Sequence, residues 1–174
     1  MTTRDILVIG DERLRGKAKK VHRFDASLQA LVDDMLETLD AANGLGLAAP
    51  QIGVPLRVVV IGMPAEEDEE GRVVKPEKTY ILCNPEIIQA SDEKEVQEAC
   101  LSVPGYMGKV VRAMDAVVKA QDARGRQVRV HGEGLLAQAL QHELDHLDGV
   151  LYVDRVQSDD DLWQVSHEDE EEEE

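Results

Sequence analysis

Residues 141–149 read QHELDHLDG, and the fold turns on this stretch. His142 and His146 stand four apart, with Glu143 directly after the first. In a helix this spacing puts both imidazoles on one face, one turn apart, able to converge on a single tetrahedral metal. Leu135, Leu136, Ala139, Leu140, Leu144 and Leu147 recur at helical spacing around the motif, and Gly149 is a natural stop. A helix from about Gly134 to Leu147 is therefore predicted. Glu143 then points about 100° round the axis from His142. It can take a proton from a water beside the metal without being a ligand, which suits metal-assisted hydrolysis. The bland alternative is a surface helix that carries these residues by chance, and the apolar stripe and glycine stop weigh against it.

Outward from this helix, the apolar pattern is that of one α+β domain. FDASLQALVDDMLETLDAANG is an amphipathic N-terminal helix, with Leu28, Leu31, Val32, Met35, Leu36 and Leu39 on one side. Asp25 or Ser27 can cap its start and Gly44 can end it. LRVVVIGM (56–63) and KTYILCNP (78–85) read as strands joined by an acidic loop, EEDEE at 66–70. Residues 109–130 read as a hairpin turning near Gly125, and VLYVD after Gly149 as a short final strand. Strands and helices do not alternate regularly, so mixed or antiparallel sheets packed around a central metal-binding helix are expected. The catalytic domain is assigned to 1–156. Residues 157–174, with ten acids and no Lys or Arg, are read as a solvated, disordered acidic tail.

The formal net charge of −17 disfavours direct nucleic-acid binding. No apolar run is long enough to span a bilayer, and the N-terminus MTTRDILVIGDERLR carries no signal-peptide pattern, so the cytoplasm is the expected location. The two cysteines, Cys83 and Cys100, form no disulfide framework. Cys83, inside the apolar YILCNP run, reads as a small buried hydrophobe.

Two histidines need a third ligand. Downstream, HELDHLDGVLY follows the metzincin pattern as far as Gly149, but Tyr152 stands where that pattern wants a histidine. His167 and Glu168 lie within the acidic tail. Upstream, Cys100 in QEACLSVPG is the candidate. A thiolate binds divalent first-row metals strongly, and iron, zinc, nickel or cobalt all suit a Cys/His/His set. A third segment, GLGLAAPQIG at 44–53, lacks the Lys-Ser/Thr ending and basic surroundings of a phosphate loop. Gly44 and Gly46 permit close backbone approach. Gln51, its one polar side chain, is either a satisfied core amide or a donor to a developing oxyanion.

GLGLAAPQIG, EACLSVPG and QHELDH, in that order, resemble the peptide deformylases over residues 4 to 156. The resemblance implies an enzyme that hydrolyses the N-formyl group from the initiator methionine of nascent polypeptides and releases formate. It implies one divalent metal, usually Fe(II) with zinc as a poorer substitute, held by Cys100, His142 and His146. It makes Glu143 the general acid/base and gives Gln51 and the Leu101 backbone N–H the formyl oxygen. Gly46 would hydrogen-bond the peptide through its main chain, and Leu45 and Val96 would line the methionine pocket. The helix itself places Ala139 and Leu135 on the metal side, where a small residue and a leucine suit an unbranched apolar side chain. The implied partners are N-formylmethionyl nascent peptides, with transient ribosome contact and no membrane.

Four positions depart from the family pattern. Ala99 replaces a glycine beside the cysteine, Met107 an arginine of the substrate cleft, Val111 a proline, and Gln138 an apolar residue at the pocket rim. None removes the catalytic set. A metallopeptidase is the competing enzyme reading, disfavoured by Tyr152. A structural metal module is the non-enzymatic one, disfavoured by Glu143, which a structural site does not need.

Overall fold

The computed structural model describes residues 2–165. In chain order the elements are α1 (Ala26–Ala41), β1 (Gly46–Ala48), β2 (Val58–Met63), β3 (Glu66–Glu67), β4 (Val73–Lys75), β5 (Lys78–Cys100), β6 (Val103–Gln121), β7 (Gln127–Glu133), α2 (Leu135–Leu147) and β8 (Leu162–Gln164), with short 3-10 turns between them. The main sheet runs β1-β2-β5-β6-β7, and β8 pairs with the start of β6. Every pairing in it is antiparallel, which decides between the mixed and antiparallel expectations.

The sequence VVVI in β2 explains the layering. All four residues are buried, so the strand is covered on both faces. Alternation sends Val58 and Val60 to one side, where they meet Leu28, Leu31, Val32, Met35 and Leu39 of α1. Val59 and Ile61 go to the other, against Leu136, Ala139, Leu140, Leu144 and Leu147 of α2. Leu82 and Cys83 divide in the same way, and Cys83 is the buried hydrophobe expected. The sheet is thus held between two helices whose apolar stripes the sequence shows.

Both helices lie close to their predicted bounds. Asp25 caps α1, accepting from the Leu28 N–H at 3.2 Å. Gly44 does not end it: Asn43 takes the left-handed conformation (φ 51). Gly44 is needed for a different reason, because a Cβ there would lie 2.8 Å from Leu101 Cδ1. At the end of α2 the expected stop is present, with Gly149 at φ 75.

Several expectations are corrected. β5 does not end near Pro85 but runs on to Cys100, pairing with β6 through Glu98↔Gly108 and Cys100↔Val103. Its stretch from Glu86 to Glu95 is exposed on both faces, so no apolar alternation marks it. The acidic loop folds into the β3–β4 hairpin, where Arg72 pairs with Asp68 and Glu70 and Lys75 with Glu66. VLYVD is not a strand. Residues Tyr152–Arg155 form a 3-10 turn, because Asp154 accepts from the Leu151 N–H at 2.9 Å and ties itself to Arg15. The tail boundary at Gln157 also moves. Residues 157–165 include a 3-10 turn (Asp159–Asp161) and β8, which pairs Met107 with Trp163 and Gly108 with Leu162. Leu162 packs beside Val110, Leu151 and Tyr152, and that burial holds the segment in place. The rest of the expected tail, 166–174, lies outside the described residues.

Gly149 is where backbone and packing demands coincide. A Cβ at this left-handed position would overlap the carbonyl of Arg15. Gly149→Ala is expected to cost about 2 kcal/mol or more and to lower the Tm by roughly 4–8 °C, measured by scanning calorimetry.

Candidate metal centre and catalytic cleft

The β5–β6 hairpin brings Cys100 to the helix. β5 ends at Cys100, the chain turns through Leu101 and Ser102, and β6 leaves at Val103. Cys100, His142 and His146 are all buried, and their candidate ligand atoms lie within 4.8 Å of one another. Cys100 Sγ is 3.4 Å from His146 Nε2. The two imidazoles meet edge-on, with centroids 5.1 Å apart. One thiolate and two imidazoles at this separation fit one tetrahedral divalent metal and leave a fourth position. Glu143 Oε2 and His146 Nδ1 are buried without a hydrogen-bond partner, so polar groups cluster here for which the fold alone supplies no use.

A buried charge chain stands behind the histidines. His142 Nδ1 donates to Glu98 Oε1 at 2.6 Å, which turns Nε2 away from Glu98 as a metal ligand requires. Arg112 clasps the same carboxylate through Nε (2.7 Å) and Nη2 (2.9 Å). Its Nη1 reaches Asp145 at 2.7 Å, and Arg155 also donates to Asp145. Arg112 and Glu98 side chains are 2% and 3% exposed, so neither tolerates loss of its partner. Burial pushes the Glu98 carboxyl up, but the hydrogen bonds from His142 and Arg112 outweigh it and hold the pKa at about 2.

The histidines are driven apart electrostatically. Burial works against a proton on His142, yet Cys100 and Glu98 hold its pKa well above the ordinary histidine range. Burial and the neighbouring His142 hold His146 well below it. A cation held between the donors would take over the role of the proton on His142, and its binding would release protons. Burial pushes Glu143 up to about 7 before any metal charge acts on it.

Around this centre lies a cleft of about 1120 Å³. Gly46 and Leu45 line it, as do Gln51, Leu101, Leu135 and Ala139. Gly46 is next to Glu143: a Cβ would sit 2.6 Å from its Oε1, so only glycine leaves the carboxylate its place. The Gln51 amide is oriented. Its Oε1 accepts from the Ala48 N–H at 2.9 Å, so Nε2 faces Ser102 Oγ (3.0 Å) and Cys100 Sγ (3.7 Å). The donor end therefore points at the centre.

One expected pocket residue is elsewhere. Val96 does not line the cleft but packs against the cluster of Cys100, Val103, Val110, Leu151 and Tyr152. The departures fit without strain. Ala99 is exposed in the cleft and has no positive φ, and Gln138 donates to the Gln97 carbonyl at 2.9 Å. Tyr152 is buried and stacks on His142 at 6.1 Å, a packing role in place of a downstream ligand. His167 and Glu168 lie outside the described residues.

Sequence reasoning missed Glu98, Arg112 and Asp145 as a unit. The signal was present in KVVRAMDAVV, where an arginine sits among apolar residues of a strand and a buried guanidinium must find carboxylates. The contribution of β8 to the cleft was also missed, although a lone tryptophan in an acidic segment marks a packed contact.

The sequence profile of the polypeptide deformylase family matches residues 3–161. The chain is 47% identical to a peptide deformylase of Thermomicrobium roseum, covering 98% of this chain and 96% of the relative. It is 48% identical to one of Heliobacterium modesticaldum, covering 91% and 97%. Among solved structures it is similar to a peptide deformylase from Legionella pneumophila (49% identity, TM-score 0.79, covering 89% of this chain and 86% of that one). It is also similar to the Ehrlichia chaffeensis enzyme in complex with actinonin (37% identity, TM-score 0.82, 91% of each chain).

Arg112→Met leaves the Glu98 carboxylate buried without its clasp, and urea unfolding of the metal-free protein is expected to show a loss of about 3–5 kcal/mol. The depressed pKa of Glu98 also sets an acid limit. Its carboxylate stabilises the fold fully above its ordinary value of 4.5, and that contribution disappears as pH falls toward about 2. Metal-free wild type is expected to lose stability across that window, measured by urea midpoints at stepped pH.

Proposed function

The chain belongs to the polypeptide deformylase family, and we propose on that premise how its residues divide the removal of the formyl group from N-formylmethionyl peptides. The observation that carries the reading is convergence. Cys100 from a hairpin tip and His142 and His146 from one helix face converge, and Glu143 and the Gln51 amide line the cleft beside them.

Cys100, His142 and His146 hold one divalent metal. Fe(II) is the proposed ion because the resemblance favours it; zinc, nickel and cobalt suit the same donors. Such an ion supplies Lewis acidity at the formyl oxygen and lowers the pKa of the attacking water. Glu143 takes the proton from that water as its oxygen bonds to the formyl carbon. The Gln51 Nε2–H and the Leu101 backbone N–H donate to the oxygen on which negative charge develops. The C–N bond then breaks, Glu143 passes its proton to the amine nitrogen, and formate leaves beside a free α-amine. Burial keeps Glu143 basic enough to take the proton, and the cation restrains its pKa from rising further. Glu98 holds His142 in the tautomer that ligation needs, and Arg112 holds Glu98.

Leu45, Leu135 and Ala139 form the methionine pocket, and the Gly46 main chain, at the start of edge strand β1, binds the peptide backbone. The catalytic unit is placed at residues 3–165, because β8 completes the cleft. No helix among the described residues is long and apolar enough to cross a membrane. The proposed setting is the cytoplasm, with transient ribosome contact as nascent chains emerge.

The test is formate release from formyl-Met-Ala-Ser by protein loaded anaerobically with Fe(II) or Ni(II). Wild type is expected to release formate. Glu143→Gln is expected to keep its metal, measured by plasma mass spectrometry, while kcat falls by about 10²–10⁴-fold. Turnover that survives this substitution would remove Glu143 from the mechanism.

A further inference from the structure

A second group of metal-ligating side chains lies on the other face of the sheet. Val118 of β6 pairs with Val130 of β7 and both pack toward α2, and a Cβ on Gly132 would meet Leu136 and Leu140 of that helix. Alternation therefore sends Asp115, His131 and Glu133 to the face opposite α2. Asp115 and Glu133 stand directly across from each other, and His131 is the next residue of β7 on the same face. Its Nε2 lies 2.9 Å from Asp115 Oδ2 and 4.0 Å from Glu133 Oε1. The candidate ligand atoms of all three lie within 4.8 Å of one another.

Like charges directly opposite on paired strands repel. Among the described residues the only ion-pair partner of either carboxylate is His131. The hydrogen bond and charge of Asp115, with a contribution from Glu133, raise the His131 pKa above the ordinary histidine value. A proton on His131 still leaves the group with one net negative charge. A divalent cation on the neutral imidazole balances both carboxylates.

We propose that Asp115, His131 and Glu133 form a second divalent-cation site, for zinc or a similar first-row ion, on the face of the sheet opposite α2. Carboxylates alone would hold a hydrated cation loosely. The imidazole makes the set selective for Zn(II), Co(II) or Ni(II) over Mg(II) and Ca(II), which take oxygen donors. Donors on a tetrahedral ion are roughly 3.4 Å apart, so the 2.9 Å contact opens slightly and the 4.0 Å one closes. Side chains at least partly open to solvent can make both adjustments, and water completes the coordination. The ion braces the corner that starts α2. Glu133 is followed by Gly134, whose N–H donates at 2.8 Å to the carbonyl of Met114, the neighbour of Asp115. Joining Asp115 to Glu133 ties the two strands where the helix bearing His142 and His146 begins. This ion stabilises the fold and takes no part in the removal of the formyl group.

The experiment adds Co(II) anaerobically to the metal-free full chain, with excess Mg(II) present to occupy carboxylates that lack an imidazole. Absorbance separates the two sites, because Co(II) on the Cys100 thiolate gives a near-ultraviolet charge-transfer band and Co(II) on Asp115, His131 and Glu133 gives none. Wild type is expected to take up two equivalents by calorimetry, only one of them with the band. His131→Ala and Asp115→Asn should each take up one, with the band intact. Zn(II) at about 100 times its Kd should raise the Tm of the Ni(II)-loaded wild type by about 5 °C, and that of His131→Ala by less than about 1 °C. A single equivalent in wild type overturns the site, as does a second equivalent that persists in both variants. A missing charge-transfer band alongside an equivalent that depends on His131 would sink the catalytic metal assignment and support this site.

Discussion

The ion pair between Arg112 and Glu98 is the contact on which the centre depends. Both side chains are taken out of water, at a cost that only close, multiple hydrogen bonds can offset. Arg112 meets this demand with two bonds to Glu98 and one to Asp145. It thereby joins the middle of β6 to the end of β5 and to α2. Glu98 then has one remaining commitment, to His142 Nδ1. The tautomer of His142, a proposed ligand, is set by a carboxylate that is itself set by an arginine. The stability of the hairpin and the geometry of the centre are one electrostatic arrangement.

The antiparallel hairpin gives this arrangement its precision. β5 and β6 stay paired over most of their length, so Cys100 is delivered at a tip whose register is fixed far from the centre. α2 is seated by its apolar stripe against Val59, Ile61 and Leu82. The histidines emerge on the helix face that the stripe leaves free. Hairpin and helix share an apolar contact through Leu82, Val118 and Ala120 and meet again at their polar groups. A site built on such elements holds ligand positions that loops alone would not. The glycines of 44–46 complete the fit: Gly44 clears Leu101 and Gly46 clears Glu143.

The far side of the cleft is organised differently. There the wall is β8, a three-residue strand held to the start of β6 by pairing and by Leu162. Met107 and Trp163 lie across from one another on this short ladder. This wall thus draws on β8 and on the same hairpin that delivers Cys100.

The local patterns were legible in the sequence. Helical spacing located α1 and α2, the Asp25 cap, the Gly149 stop and the shared face of His142 and His146, because periodicity is a property of neighbours along the chain. The run LRVVVIGM announced a strand, and the three motifs marked the residues that converge. The long reach of β5, the packing of Val96 away from the cleft, the 3-10 turn at Tyr152 and the ordering of residues 157–165 were not legible. Each depends on a partner distant in sequence: β6 for β5 and β8, Arg15 for Asp154, the Tyr152 cluster for Val96. The sequence by itself determined which side chains could act and which stripes had to be buried. Only the tertiary structure decided which carboxylate Arg112 would hold and where Cys100 would end, because buried charges are stable only beside partners that the fold brings together.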